Sequence, residues 1–146
     1  MTVAGGFSAS AFFRLVKRIR PTYYSAVPAI YAMLTALPEA ETADTSSLRL
    51  VVCGAAPMSA ELIARVEETL GVALVEGYGL SEGSCASTLN PCDGVRKPGT
   101  VGAATRPGGP GDRRARPPVP HGERGEVVTA ANVMRGYPTD PRRRPR

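Results

Sequence analysis

The sequence predicts an α/β fold built on part of a parallel sheet, and three neighbouring stretches carry that expectation. Leu48, Leu50, Val51 and Val52 form an apolar run suited to a strand buried on both faces and too short to stand as a helix. A helical pattern follows, with Leu62, Ile63, Val66 and Leu70 repeating at intervals of three and four. Val72 to Val75 supplies a second strand. Two strands joined by one helix read as a parallel crossover, which brings both carboxyl ends to the same edge of the sheet.

Taken in order, the elements alternate. From Ala11 to Arg20 the residues Phe12, Leu15, Val16 and Ile19 mark one helical face, and Pro21 ends the helix. Thr22 to Val27 is rich in aromatic and β-branched residues and reads as a strand. Pro28 opens the next helix, whose buried stripe is expected at Ile30, Met33, Leu34 and Leu37, with Met33 as core filler. Glu39 to Ser47 is a polar connection. After the Leu48 run, Gly54-Ala55-Ala56-Pro57 forms a loop, Ser59 caps the third helix and Gly71 closes it. Beyond it, Ala86 to Leu89 extends briefly and Asn90-Pro91 turns the chain.

The crossover makes neighbours of Gly54-Ala55-Ala56 and Gly77-Tyr78-Gly79. Ligands of open α/β sheets lie on that edge, where small side chains let backbone amides come close to a nucleotide. The second loop adds Tyr78, Ser81 and Glu82: an aromatic face for a base, a hydroxyl for a phosphate and a hard oxygen for magnesium. A glycine-rich turn with a solvated glutamate explains the same residues equally well.

Composition narrows the alternatives. The chain has 146 residues, 42% of them apolar, which is enough for one domain with a core. Its net charge of +5 belongs to the tail, since ten of the sixteen arginines lie from Arg106 onward, without the aromatic interleaving of a nucleic-acid surface. No segment approaches the roughly 20 apolar residues of a membrane span, and Met1 to Ala11 lacks the pattern of a signal peptide. Cys53, Cys85 and Cys92 are odd in number and lack paired metal-ligand spacing, so free thiols in a reducing cytoplasm are expected, with Cys53 a small buried residue. His121, the sole histidine, falls between Pro120 and Gly122 in an expected solvated turn.

The segments RPTYYSAVPAIYAML, VVCGAAPMS, GYGLSEG, KPGTVGAAT and HGERGEVV stand in the order of the adenylate-forming superfamily, and the chain resembles its acyl-CoA synthetases from about Phe12 to Tyr137. The resemblance implies an internal piece of the large N-terminal domain: an α/β core over residues 1–93 with the adenine and magnesium loop and a partial β-rich subdomain over 94–137; the composition of 138–146, where the likeness ends, predicts a disordered Arg/Pro tail. It implies that Tyr78 stacks on adenine, Ser81 contacts the α-phosphate in place of the family's threonine, and Glu82 holds magnesium. By the same resemblance Gly54, Ala55, Ala56, Gly77 and Gly79 border the nucleotide, and Ser25, Val27, Gly54 and Gly77 line the acyl pocket. An ordinary strand end would account for Ser25 and Val27 as well.

The implied reaction joins a carboxylic acid to ATP and passes the acyl group to CoA. A fatty or other apolar acid is expected, because Ala26, Val27, Gly54 and Gly77 offer no charge to an amino group. The family's phosphate loop, ribose aspartate and C-terminal lysine do not occur in the chain, so a fragment inactive without a complementing chain is expected, with a non-catalytic nucleotide-binding or interaction remnant as the alternative. Glu126 to Thr129 reads as a strand and Asn132 to Tyr137 matches the family again. Between them and the core, RPGGPGDRRARPPVP has nothing to bury, and PTDPRRRPR replaces the expected acidic passage. Such runs suit a compensated frameshift near Gly108 to Pro118 and a terminal one near Pro138, which translation of the gene in its other frames would test.

Overall fold

The computed structural model of the protein describes residues 7–104, 119–120, 122–127 and 133–137. His121, Val128, Thr129 and Asn132, most of the region expected to be frame-shifted, and the tail from Pro138 lie outside the described residues.

Five strands form one sheet in sequence order: β1 (Tyr23–Ala26), β2 (Leu50–Cys53), β3 (Leu74–Tyr78), β4 (Thr88–Leu89) and β5 (Ala103–Ala104). The first three are parallel, and β4 and β5 are added antiparallel, giving the α/β fold with a mixed sheet. Helices α1 (Ala9–Ile19), α2 (Pro28–Thr35) and α3 (Ala60–Leu70) pack on the parallel part. Tyr24, Val51 and Leu74 stand in register across the sheet and belong to the same apolar cluster as Phe12, Leu34, Ile63 and Val66. All three helices therefore cover one face. A fully buried aliphatic side chain in such a cluster contributes about 1.5–3 kcal/mol.

Helix α3 forms as its sequence dictates. The Ser59 hydroxyl accepts from the Leu62 amide at 3.2 Å, Gly71 takes the left-handed conformation at φ 63°, and Ile63, Val66 and Leu70 are buried. The other two helices correct the expected stripes. In α1 the buried residues are Phe12, Phe13 and Val16, while Ile19 is 40% exposed. Phe13 packs edge-on to Phe12, which in turn meets Tyr24, so the aromatic contacts set the rotation of the helix. Arg20 caps α1 in a left-handed conformation instead of ending within it.

In α2, Tyr31 takes the core place expected of Met33, which is 47% exposed. Tyr31 is fully buried because its hydroxyl donates to the Val52 carbonyl at 2.9 Å, satisfying its one polar end. Thr45 is buried on the same logic, its hydroxyl donating to the α3 carbonyl of Leu70 at 2.9 Å.

Strand β3 starts and ends later than the expected Val72 to Val75. Glu76 pairs with Cys53, Gly77 with Leu89 and Tyr78 with Thr88, so ladder bonds on both sides extend the strand through Glu76 and Gly77, residues of low strand propensity, to Tyr78. Leu48 is buried but precedes β2, and Ala86 and Ser87 precede β4. Glu126 and Val127 lie outside any strand.

Candidate functional site

Because β1, β2 and β3 are parallel, with Ala26, Cys53 and Glu76 in register, their carboxyl ends share one edge. The two small-residue loops meet there. A Cβ built on Gly54 would lie 3.3 Å from the Gly77 carbonyl oxygen, so the two backbones are already in contact. Ala55 and Ala56 are exposed beside them, and Ala55 adopts φ 68°, a conformation that costs an L-residue about 1–2 kcal/mol. Local strain of this kind is tolerated where the surrounding structure dictates the path of a loop. The four-residue sequence Gly-Ala-Ala-Pro gave no sign of which residue would turn.

Tyr78 closes β3 with its ring 40% exposed on this edge. Gly79 follows, and any side chain there would overlap the carbonyl of Cys85, so only glycine lets the loop fold back on itself. The return is a short 3-10 turn over Ser81–Gly83, fastened by the Gly83 and Cys85 amides donating to the Leu80 carbonyl at 3.1 Å each. Tyr78 at the strand end is thus followed closely by exposed Ser81 and half-buried Glu82 in the turn. Ser25, on β1, and Val27, just after it, lie on the far side of β2 from this turn, both exposed. Val27 is the N-cap residue of α2, and Ser25 is in register with Val52.

Glu82 is held from a distance in sequence. The Tyr137 hydroxyl donates to its Oε1 at 2.6 Å, and the Met134 amide donates to its backbone carbonyl at 2.8 Å. The hydroxyl, and next the residue's own backbone amide, hold the Glu82 carboxyl below the usual carboxylate range. Sequence reasoning missed this contact. It spans 55 residues, and nothing local to Arg135-Gly136-Tyr137 announces it.

A cavity of about 150 Å³ lies elsewhere, lined by Ile63, Glu67, Glu76, Asn90, Arg96 and Lys97 among others, and includes none of these site residues. Its carboxylates are engaged in structural bonds: Glu67 accepts from the Leu74 amide and pairs with Arg96, and Glu76 accepts from the Gly99 amide. The exposed edge differs from it in offering backbone, an aromatic face, a hydroxyl and a carboxylate at one end of the sheet.

The profile of the AMP-binding enzyme family matches residues 2–138. The chain belongs to this family. Among AMP-binding relatives, a feruloyl-CoA synthase of an Amycolatopsis species is 36% identical over 138 residues, covering 90% of this chain and 27% of the relative. A long-chain-fatty-acid–CoA ligase of Bacillus subtilis is 34% identical over 131 residues, covering 85% and 23% respectively. Of the solved AMP-binding structures, the anthranilate CoA ligase AuaEII in complex with anthranoyl-AMP superposes with a TM-score of 0.62 at 31% identity, covering 66% of this chain and 18% of that one. ATP-bound MatB from Rhodopseudomonas palustris gives a TM-score of 0.62 at 32% identity, covering 70% and 20%. The chain spans about a quarter of the length of the curated relatives it matches.

Proposed function

We propose that this chain forms the adenylate-binding edge of an ATP-dependent acid–thiol ligase. The observation that carries the reading is the strand end at Tyr78 running into the turn with Ser81 and Glu82, beside the contact between Gly54 and Gly77. In this reading Tyr78 stacks on adenine, the backbone of Gly54, Ala55, Ala56, Gly77 and Gly79 borders the nucleotide, and Ser81 donates to the α-phosphate. Ser25, Val27, Gly54 and Gly77 border the acyl group.

Glu82 suits a magnesium nucleotide. Its carboxylate is a hard oxygen donor held in the ionised form, and magnesium is commonly bound through one or two carboxylates together with substrate phosphates. Among the described residues no group of three or more His, Cys, Asp or Glu is placed to hold a metal by itself, so phosphate and water oxygens would complete the coordination. The cation would neutralise phosphate charge as it develops.

In the complete enzyme, the acid's carboxylate displaces pyrophosphate from ATP to give an acyl-adenylate. The CoA thiol then attacks the acyl carbon, releasing AMP and leaving a thioester. Relatives named for ferulate and long-chain fatty acids support a carboxylic acid of predominantly apolar character. The uncharged Ala26 and Val27 agree with it. The free thiols of Cys53, Cys85 and Cys92 support a reducing, cytoplasmic setting, and among the described residues no helix is long and apolar enough to cross a membrane.

Catalysis depends on holding the triphosphate, and Ser81 and Glu82 are the groups of this chain that would touch it; a non-catalytic nucleotide-binding remnant is the second reading. Pyrophosphate exchange driven by a panel of fatty and aromatic acids, assayed with the chain joined to the remainder of a relative, tests the first reading. Exchange that disappears in Glu82→Gln supports it. Absence of exchange alongside retained AMP binding favours the remnant.

A further inference from the structure

The segment Val133 to Tyr137 reaches Glu82 twice, and the two contacts do different things. The Met134 amide bonds to the Glu82 backbone carbonyl at 2.8 Å and fixes where the turn sits. The Tyr137 hydroxyl bonds to Oε1 at 2.6 Å and fixes where the carboxylate sits. Without such a bond, a glutamate on a short turn samples several rotamers, and a ligand that fixes one of them must offset the entropy of ordering the side chain.

We propose that Tyr137 is a positioning residue for Glu82, assigning Oε1 to the tyrosine and Oε2 to a magnesium-bound nucleotide. This rests on the reading of Glu82 as the magnesium ligand given above. The chemistry is that of an outer partner of a metal-ligating carboxylate: a neutral hydroxyl donor orients the oxygen pair and keeps its charge, without competing for the cation as a lysine would. Loss of such partners typically weakens metal affinity by about 10–100-fold. Because Tyr137 is 46% exposed, the bond contributes little to folding, and its effect concentrates on the metal.

The test is calorimetric titration of the 146-residue chain with ATP, with and without magnesium chloride, for wild type, Tyr137→Phe, Glu82→Gln and the double variant. Circular dichroism verifies that each variant is folded. The expected result is that wild type binds ATP more tightly with magnesium and that Tyr137→Phe loses on the order of tenfold of that gain. Metal-free ATP binding and the thermal midpoint should remain as in wild type, whereas a merely structural role for Tyr137 would alter both. The double variant should lose no more than Glu82→Gln alone. If Glu82→Gln removes the magnesium gain while Tyr137→Phe keeps or increases it, the positioning role is overturned and the Glu82 reading stands. If wild type gains nothing from magnesium, or Glu82→Gln leaves the gain intact, the Glu82 reading fails and the positioning role falls with it.

Discussion

The helix-backed unit from Ala9 to Tyr78 and the stretches beyond Asn90 are held by different forces. In the first, Phe12, Tyr31, Leu34, Val51, Val66 and Leu74 share one apolar cluster. In the second, Val95, Val119, Val127 and Val133 are each at least half exposed, and the described residues are tied by polar bonds to one another and to the preceding chain. Asn90 is buried and its side-chain amide donates to the Thr100 carbonyl at 2.6 Å, Glu76 receives the Gly99 amide, and Glu82 receives Met134 and Tyr137. Apolar burial is non-directional and tolerates small adjustments, whereas a hydrogen bond is lost with either partner. One unit specifies the sheet edge, and the other trims the groups displayed on it.

The widest separation between the two should appear on truncating their apolar side chains. Leu34→Ala in the cluster is expected to cost about 2–5 kcal/mol and to unfold the whole chain, as read by denaturant titration. Val127→Ala, at a residue 72% exposed, should fall within about 0.5 kcal/mol of wild type. Comparable losses from both would erase the distinction.

A smaller effect is expected at the junction. Asn90→Ala leaves the Thr100 carbonyl without its side-chain donor and should cost about 1–3 kcal/mol. Hydrogen exchange should quicken around Lys97–Thr100 while the α3 amides remain protected. Uniform loss of protection would mean that the junction is part of the same cooperative core.

Thiol chemistry sharpens the contrast without altering the fold. Cys53 is 1% exposed, whereas Cys85 and Cys92 are exposed. Burial first, and the Glu76 charge second, push the Cys53 thiol from 9.0 up to about 11. Near neutral pH, iodoacetamide should therefore label Cys85 and Cys92 and reach Cys53 only after unfolding, by peptide mass mapping. The folded thiol is raised, so its linked stability is intact below pH 9 and is lost as pH climbs towards 11.

The smallest change concerns the edge loop. Ala55→Gly removes left-handed strain of about 1–2 kcal/mol, against about 0.5–1 kcal/mol of added backbone entropy in the unfolded chain. A gain of about 0.5 kcal/mol in thermal stability is expected, and a loss would show that the φ of 68° at Ala55 carries no strain.

Legibility in the sequence followed the same division. Ser59, Gly71 and the Ile63, Val66, Leu70 spacing announce α3 because capping and periodicity are local. The same locality misplaced Met33 and Ile19, since only tertiary contact reveals that Tyr31 can satisfy its hydroxyl on Val52 and that Phe13 meets Phe12. The meeting of Gly54 with Gly77 was legible through the crossover. The grip of Tyr137 on Glu82 was not, because no local periodicity encodes a bond between an isolated hydroxyl and a carboxylate 55 residues away.

The most direct test of the sheet edge as a nucleotide surface is an NMR titration of the isotope-labelled chain with AMP. Amide shifts should concentrate at Gly54 to Ala56 and Gly77 to Glu82. Shifts confined to the cavity around Glu67, Arg96 and Lys97, or no shifts at millimolar AMP, would contradict the assignment of that edge.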